Sequence, residues 1–145
     1  MTPRLKRIVE LLPVSDELFD VGCDHGIVGV SALLLNKTQK TVFTDVSRKS
    51  LEKARRLAES KGVLYKSEFL CGDGFCGRRA HTAVIAGMGG LEISKILGQA
   101  SRLPDKLVLQ PMRGVPFVRC SEPQPLSNES PVKRVSFESV SKILF

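Results

Sequence analysis

Asp20-Val21-Gly22-Cys23-Asp24-His25-Gly26 follows the apolar pair Leu18-Phe19 and precedes Ile27-Val28-Gly29-Val30. An apolar run that ends in glycines and resumes as a second apolar segment predicts a strand, a tight turn and the start of a helix. Glycine reaches φ > 0 and has no Cβ, so the backbone can approach a ligand, and the first turn of the next helix offers free N–H groups. A nucleotide-like ligand suits such a turn. The spacing is Gly-x-x-x-Gly with a carboxylate two positions before the first glycine, whereas a dinucleotide pyrophosphate needs Gly-x-Gly-x-x-Gly. This difference points away from NAD and toward S-adenosylmethionine, which has no pyrophosphate. By itself the glycine pair reads better as an ordinary βα turn, and its weight comes from the residues around it.

Upstream, Leu5, Ile8, Val9 and Leu12 form a helical stripe that stops at Pro13, expected to cover an edge or face of a sheet. Downstream, Val28 to Leu35 reads as a crossover helix closed by Asn36. Thr41-Val42-Phe43-Thr44-Asp45 is β-branched and aromatic, as a buried strand should be, and it ends on a carboxylate. Nucleotide-binding βαβ units place an acid about 20 positions beyond the glycine turn to accept hydrogen bonds from ribose hydroxyls. Two carboxylate oxygens match two adjacent hydroxyls. Asp45 also reads as a helix N-cap, although Ser47 can do that itself.

Ser47 to Ser60 predicts a helix with Leu51, Ala54, Leu57 and Ala58 on one face and Lys61-Gly62 at its end. Lys66 to Leu70 reads as a third strand running into Cys71-Gly72-Asp73-Gly74, where Asp73 either meets an adenine amino group or simply turns the chain. Ala83 to Ala86 is a fourth strand, Gly87-Met88-Gly89-Gly90 a bare floor for a flat group, Leu91 to Ala100 a helix, and Lys106 to Gln110 a fifth strand ending at Pro111. The alternation predicts an α/β fold with a doubly wound, mostly parallel sheet, its unusual residues at the carboxyl ends of strands where such sheets bind ligands.

The 145 residues fit one domain, and 42% hydrophobic with 26% charged residues is an ordinary globular composition. No apolar run approaches the ~20 residues of a membrane span, and Met1-Thr2-Pro3-Arg4-Leu5-Lys6 opens no signal core, so a cytoplasmic chain without membrane contact is expected. Cys23, Cys71, Cys76 and Cys120 form no C-x-x-C pair and His25 and His81 are scattered, which argues against a metal site and for reduced, mostly buried thiols. The net charge of +7 is uneven: nine Lys or Arg in residues 37–66 face only Asp45, Glu52 and Glu59, and Arg4, Lys6 and Arg7 open the chain. A polyanionic partner suits such an excess. For the Arg48 to Arg56 run alone a solvated helix face explains it better, with Glu52 pairing to Arg55 or Arg56.

Taken in order, the Asp20 to Gly26 stretch, Asp45, Gly72-Asp73-Gly74, and Ile85-Ala86-Gly87-Met88-Gly89-Gly90 with Leu107-Val108-Leu109-Gln110-Pro111 resemble the bacterial tRNA adenine-N1 methyltransferases acting on adenine 22. These are class I S-adenosylmethionine-dependent enzymes with a Rossmann-like sheet. The likeness runs from about Arg4 to Met112, and it implies tRNA as substrate. It implies that Asp20, Gly22 and Gly26 shape the methionine side of the cofactor site, that Cys23, Ala86 and Gly87 also bind the cofactor, and that the Gly87 to Gly90 loop faces the base to be methylated. Asp45 and Val46 would serve the ribose region, and Gly72, Asp73 and Gly74 the adenine. Asp24 would be the catalytic carboxylate, stabilising charge on the methylated base or accepting its N6 proton, with a structural brace of the turn as an equal alternative. His25, Met88, Gly89, Gly90, Gln110 and Pro111 would face the base.

Two departures accompany the likeness. Where the family has a proline four residues after the histidine, this chain has Gly29, which implies a looser pocket wall. Beyond Met112 the family pattern stops. Residues 1–113 are expected to form the cofactor-binding domain and 114–145 a divergent Pro/Ser-rich tail, partly disordered, with Val132 to Phe137 a short edge strand or helix. About five strands result, without the usual C-terminal ones. A truncated or frame-shifted product follows as an expectation, and the alternative function is a non-catalytic remnant that binds nucleotide or RNA without turnover.

Overall fold

The computed structural model describes residues 1–112, so the expected tail at 114–145 and its segment Val132 to Phe137 lie outside the described residues. Within them the chain runs α1 (Pro3–Leu11), β1 (Ser15–Val21), α2 (Ile27–Leu34), β2 (Thr38–Asp45), α3 (Arg48–Ser60), a 3₁₀ turn (Leu64–Lys66), β3 (Ser67–Cys71), β4 (Thr82–Met88), α4 (Gly90–Gln99) and β5 (Lys106–Pro111). The four helices and five strands fall where the sequence predicts, with ends that differ by a few residues; the 3₁₀ turn was not predicted, and it takes Lys66 from the expected start of β3. The five strands form one sheet in the order β3-β2-β1-β4-β5, and every neighbouring pair is parallel.

Parallel strands must be joined by crossovers that cover the sheet, and both faces are covered here. Side chains alternate along β1: Phe19 and Val21 pack with Val42, Ile85 and Leu109 against Ile93 and Ile96 of α4. Leu18 points the other way, with Val84 and Val108, toward Ile8 and Val9 of α1 and Val28 and Ala32 of α2. Beside them Phe43 joins Val30 and Leu33 of α2 to Leu51, Ala54 and Ala58 of α3. By the two-residue period Asp20 shares the face of Leu18 and lies under α2.

The helix ends follow their local chemistry. Thr2 Oγ1 accepts from the Leu5 N–H and Ser47 Oγ from the Ser50 N–H, each capping a helix start. Asn36 adopts φ 55° just past α2, while the Lys37 ammonium donates to the Glu10 and Leu12 carbonyls at the end of α1. Among the described thiols only Cys23 is buried; Cys76 is half-buried and Cys71 exposed, so burial does not extend to most of them as expected.

Candidate active site

The turn after β1 is held by backbone bonds to the neighbouring strand: the N–H groups of Gly22 and Cys23 both donate to the Thr44 carbonyl, at 2.8 and 3.1 Å. Gly22 has φ 65° and Gly26 φ 75°, so the left-handed steps that glycine tolerates bracket the turn. Their spatial reasons differ. A Cβ on Gly22 would lie 1.9 Å from Met88 Cε, the flexible end of a side chain reaching across from β4. A Cβ on Gly26 would lie 2.6 Å from the Ala54 Cβ and 2.9 Å from its Cα, so Gly26 lets α2 and α3 pack closely rather than admitting a ligand.

Asp24 also sits at positive φ, 48°, which costs a non-glycine residue roughly 1–2 kcal/mol. Its N–H donates to Asp45 Oδ2 at 3.2 Å. Its carboxylate is 70% exposed and has its one close partner among the described residues in His25 Nε2, 3.6 Å away. The second Asp45 oxygen accepts the Ser47 N–H at 2.8 Å. Two amides therefore occupy part of the Asp45 carboxylate, which has about four lone-pair directions to offer. Val46 beside it is 71% exposed, an apolar side chain in the open at a strand end.

Asp20 is nearly sealed, with Oδ2 accepting the Gly29 N–H at 2.9 Å. Burial pushes its carboxyl up to about 7; the Gly29 hydrogen bond works against that and the charge of Asp45 adds to it. Gly29 is not a loose wall. It is buried, and a Cβ there would lie 2.4 Å from Phe43 Cε1 and 2.9 Å from Asp20 Oδ2. A residue without an N–H would leave Asp20 with no such donor. Burial likewise pushes the Cys23 thiol up, with Asp20 and Asp45 adding to it, so Cys23 is an inert wall rather than a nucleophile.

Asp20, Gly22, Cys23, Asp24, His25, Asp45, Ala86 and Gly87 line one cleft of about 520 Å³ at the carboxyl ends of β1, β2 and β4. Arg4 and Leu5 of α1, Ile27 and Val28 of α2, and Met112 complete it. Asp73 and Gly74 instead line a neighbouring hollow of about 240 Å³ with Cys76 and Arg78. The turn that carries Asp73 is tied to the end of β2 by two hydrogen bonds: the Gly72 N–H donates to the Asp45 carbonyl at 2.9 Å and Thr44 Oγ1 donates to the Gly74 carbonyl at 2.8 Å.

The other predicted base-facing residues have structural places. Gly87, at φ 75°, forms a bulge between Ala86 and Met88, and its N–H donates to Gln110 Oε1 at 3.1 Å. Gln110 Nε2 in turn donates to the Pro111 carbonyl, so the end of β5 fastens the bulge. Gly89 caps α4 and Gly90 begins it, buried. Arg4, Leu5 and Met112 were not predicted as cleft residues. The opening basic cluster was visible, but only the docking of α1 beside α2 and β5 brings Arg4 to the rim.

Carboxylates and bare backbone thus gather at the strand ends of a parallel α/β sheet, the edge at which open sheets of this class bind their ligands. The chain belongs to the methyltransferase domain family, which matches residues 1–122. A Mycoplasma pneumoniae protein named as a candidate tRNA methyltransferase is 31% identical over 102 residues, covering 67% of this chain and 46% of the relative. The Bacillus subtilis tRNA (adenine(22)-N(1))-methyltransferase is 27% identical over 117 residues, 77% of this chain and 49% of its own. The structure of M. capricolum TrmK with S-adenosylhomocysteine superposes with a TM-score of 0.63 at 20% identity, over 72% of this chain and 54% of that one, a likeness of fold. The chain thus spans about half the length of the curated relatives it matches. Among the described residues no helix is long and apolar enough to cross a membrane.

Proposed function

We propose that the chain binds S-adenosylmethionine in this cleft and transfers its methyl group to N1 of an adenine in tRNA, at the position of adenine 22. The observation that carries the proposal is the convergence of Asp20, Gly22, Asp24 and Asp45 on one rim. The fit is chemical as well as spatial. A cleft of about 520 Å³ lies within the roughly 300–1,000 Å³ of small-molecule sites, and three carboxylates along it suit a ligand bearing a sulfonium and an ammonium. Family membership and the names of the two curated relatives support methyl transfer to tRNA, a reaction that belongs in the cytoplasm.

When bound, S-adenosylmethionine supplies a methyl group on a positively charged sulfur. Asp45 would hold ribose hydroxyls with the lone pairs its two amides leave free, and the open side chain of Val46 would lie against the adenine ring. Asp73 would serve the adenine edge from the turn after β3. Adenine N1 has a lone pair of its own, so the chief task of the site is alignment, and the fixed turn from Gly22 to Gly26 provides it. Asp24, exposed beside His25, would stabilise the cationic methylated base or accept its N6 proton.

The test is labelled-methyl transfer by the full chain to tRNA carrying adenine or guanine at the target position, with cofactor affinity measured by calorimetry. Label is expected only with adenine. Asp24→Asn is expected to lower turnover by roughly 10²–10⁴-fold while cofactor affinity changes little. Cofactor binding without transfer to any tRNA would replace the proposal with a nucleotide or RNA binder, and a fully active Asp24→Asn would remove Asp24 as the catalytic group.

A further inference from the structure

We infer that Arg4 is the residue that receives the carboxylate of the amino-acid end of the cofactor, an assignment that rests on the proposed S-adenosylmethionine site. The charges around the cleft carry it. Asp20, Asp24 and Asp45 are acidic, His25 is neutral unless protonated, and Arg4 is the one fixed cation lining it among the described residues. Arg4 makes no ion pair with any described carboxylate, whereas Arg7 on the same helix is paired with Glu10.

The direction of the ligand follows from the strand order. Asp45 ends β2, on one side of the central β1, and Asp73 lies in the turn that follows β3, the next strand out. Ala86 and Gly87 end β4, on the other side of β1, and α1 packs against α2 and β5 there. A nucleoside gripped at Asp45 with its base toward β3 must extend its amino-acid end across β1 toward β4 and α1. That end is a zwitterion. Its ammonium finds the Asp20 side of the cleft, and its carboxylate needs a donor pair, which a guanidinium matches in a bidentate fork.

The experiment compares S-adenosylmethionine with its decarboxylated analogue, which differs only in that group, on the full-length wild type, Arg4→Gln and Arg4→Lys, with Kd read by calorimetry. Arg4 is exposed, so unliganded melting temperatures are expected to agree across the three. Arg4→Gln should weaken S-adenosylmethionine at least ~10-fold and change the analogue by less than about 2-fold, with Arg4→Lys between, as expected for loss of a charge-assisted hydrogen bond. Equal weakening of both ligands, or of neither, would overturn the assignment and leave the cofactor site standing. Failure of the wild type to bind S-adenosylmethionine at all would overturn the site itself, and the role of Arg4 with it.

Discussion

At the scale of single residues the decisive group is Asp20, a carboxylate placed where water barely reaches. Its ordinary value of 3.8 holds in the unfolded chain, while burial raises it to about 7 in the folded one. Between those values the folded state binds more protons than the unfolded state, so stability falls as pH rises through that window. Above about 7 the full cost of the buried charge stands, on the order of a few kcal/mol at roughly 1.4 kcal/mol per unit. Asparagine keeps an acceptor for the Gly29 N–H and carries no charge. Asp20→Asn is therefore expected to melt higher than wild type near pH 8 and to match it near pH 4, while binding S-adenosylmethionine more weakly near pH 8. Melts at the two pH values with a cofactor titration at the upper one check this. A stability gain of equal size at both pH values would mean that the charge is not the cause. A sequence reader sees Asp20 as a motif acid; its isolation beneath α2, and the part played by Gly29, belong to packing.

At the scale of elements, the two glycines that look alike in the sequence do different work. Gly26 is the crossing point of α2 and α3, where an added methyl group meets backbone, and positive φ compounds the clash. Gly26→Ala is expected to cost about 2–5 kcal/mol, from roughly 1–2 for the left-handed conformation and 1–3 for overpacking. Gly87 shares the positive φ, but a Cβ there meets nothing within 4 Å, so Gly87→Ala should cost only about 1–2 kcal/mol. Urea midpoints of the two variants measure the gap. Equal losses would show that α3 is not held against the turn as described. The helices and strands themselves were legible because their apolar periods and end residues agree, as with Ser47 capping α3 and Asn36 closing α2. The bulge at Gly87 was not, since three glycines in four residues specify freedom and not its use.

Across the whole molecule the positive charge divides by position. Lys37 caps α1, Lys40 pairs with Glu17 and Glu68, and Arg56 with Glu52, so part of the basic excess is internal structure. Arg48 and Lys49 open α3 just past Asp45 of the cleft, whereas Arg55 and Lys61 stand toward or past its far end, up to about 20 Å along a helix of 13 residues. If tRNA approaches the rim, Arg48→Ala with Lys49→Ala should flatten the salt dependence of tRNA binding by about 1.5–2 in log–log slope, and Arg55→Ala with Lys61→Ala should leave it unchanged. Filter binding across a salt series distinguishes these; equal slopes for both pairs would mean diffuse attraction. The parallel, doubly wound sheet was readable from the alternation of strands and helices, and the ligand-binding edge from where Asp20, Asp45 and Gly87 fall along their strands; the strand order was not. The separation of Asp73 into its own hollow and the arrival of Arg4 were not, because each depends on how distant segments dock. Asp45 brings a final consequence. Its one carboxylate ties the loops after β1 and β2 together through the amides of Asp24 and Ser47. Removing it unfastens two loops and any sugar contact in the same act, so no replacement at that position can tell gripping from scaffolding, and only a deoxygenated ligand offered to the intact chain can.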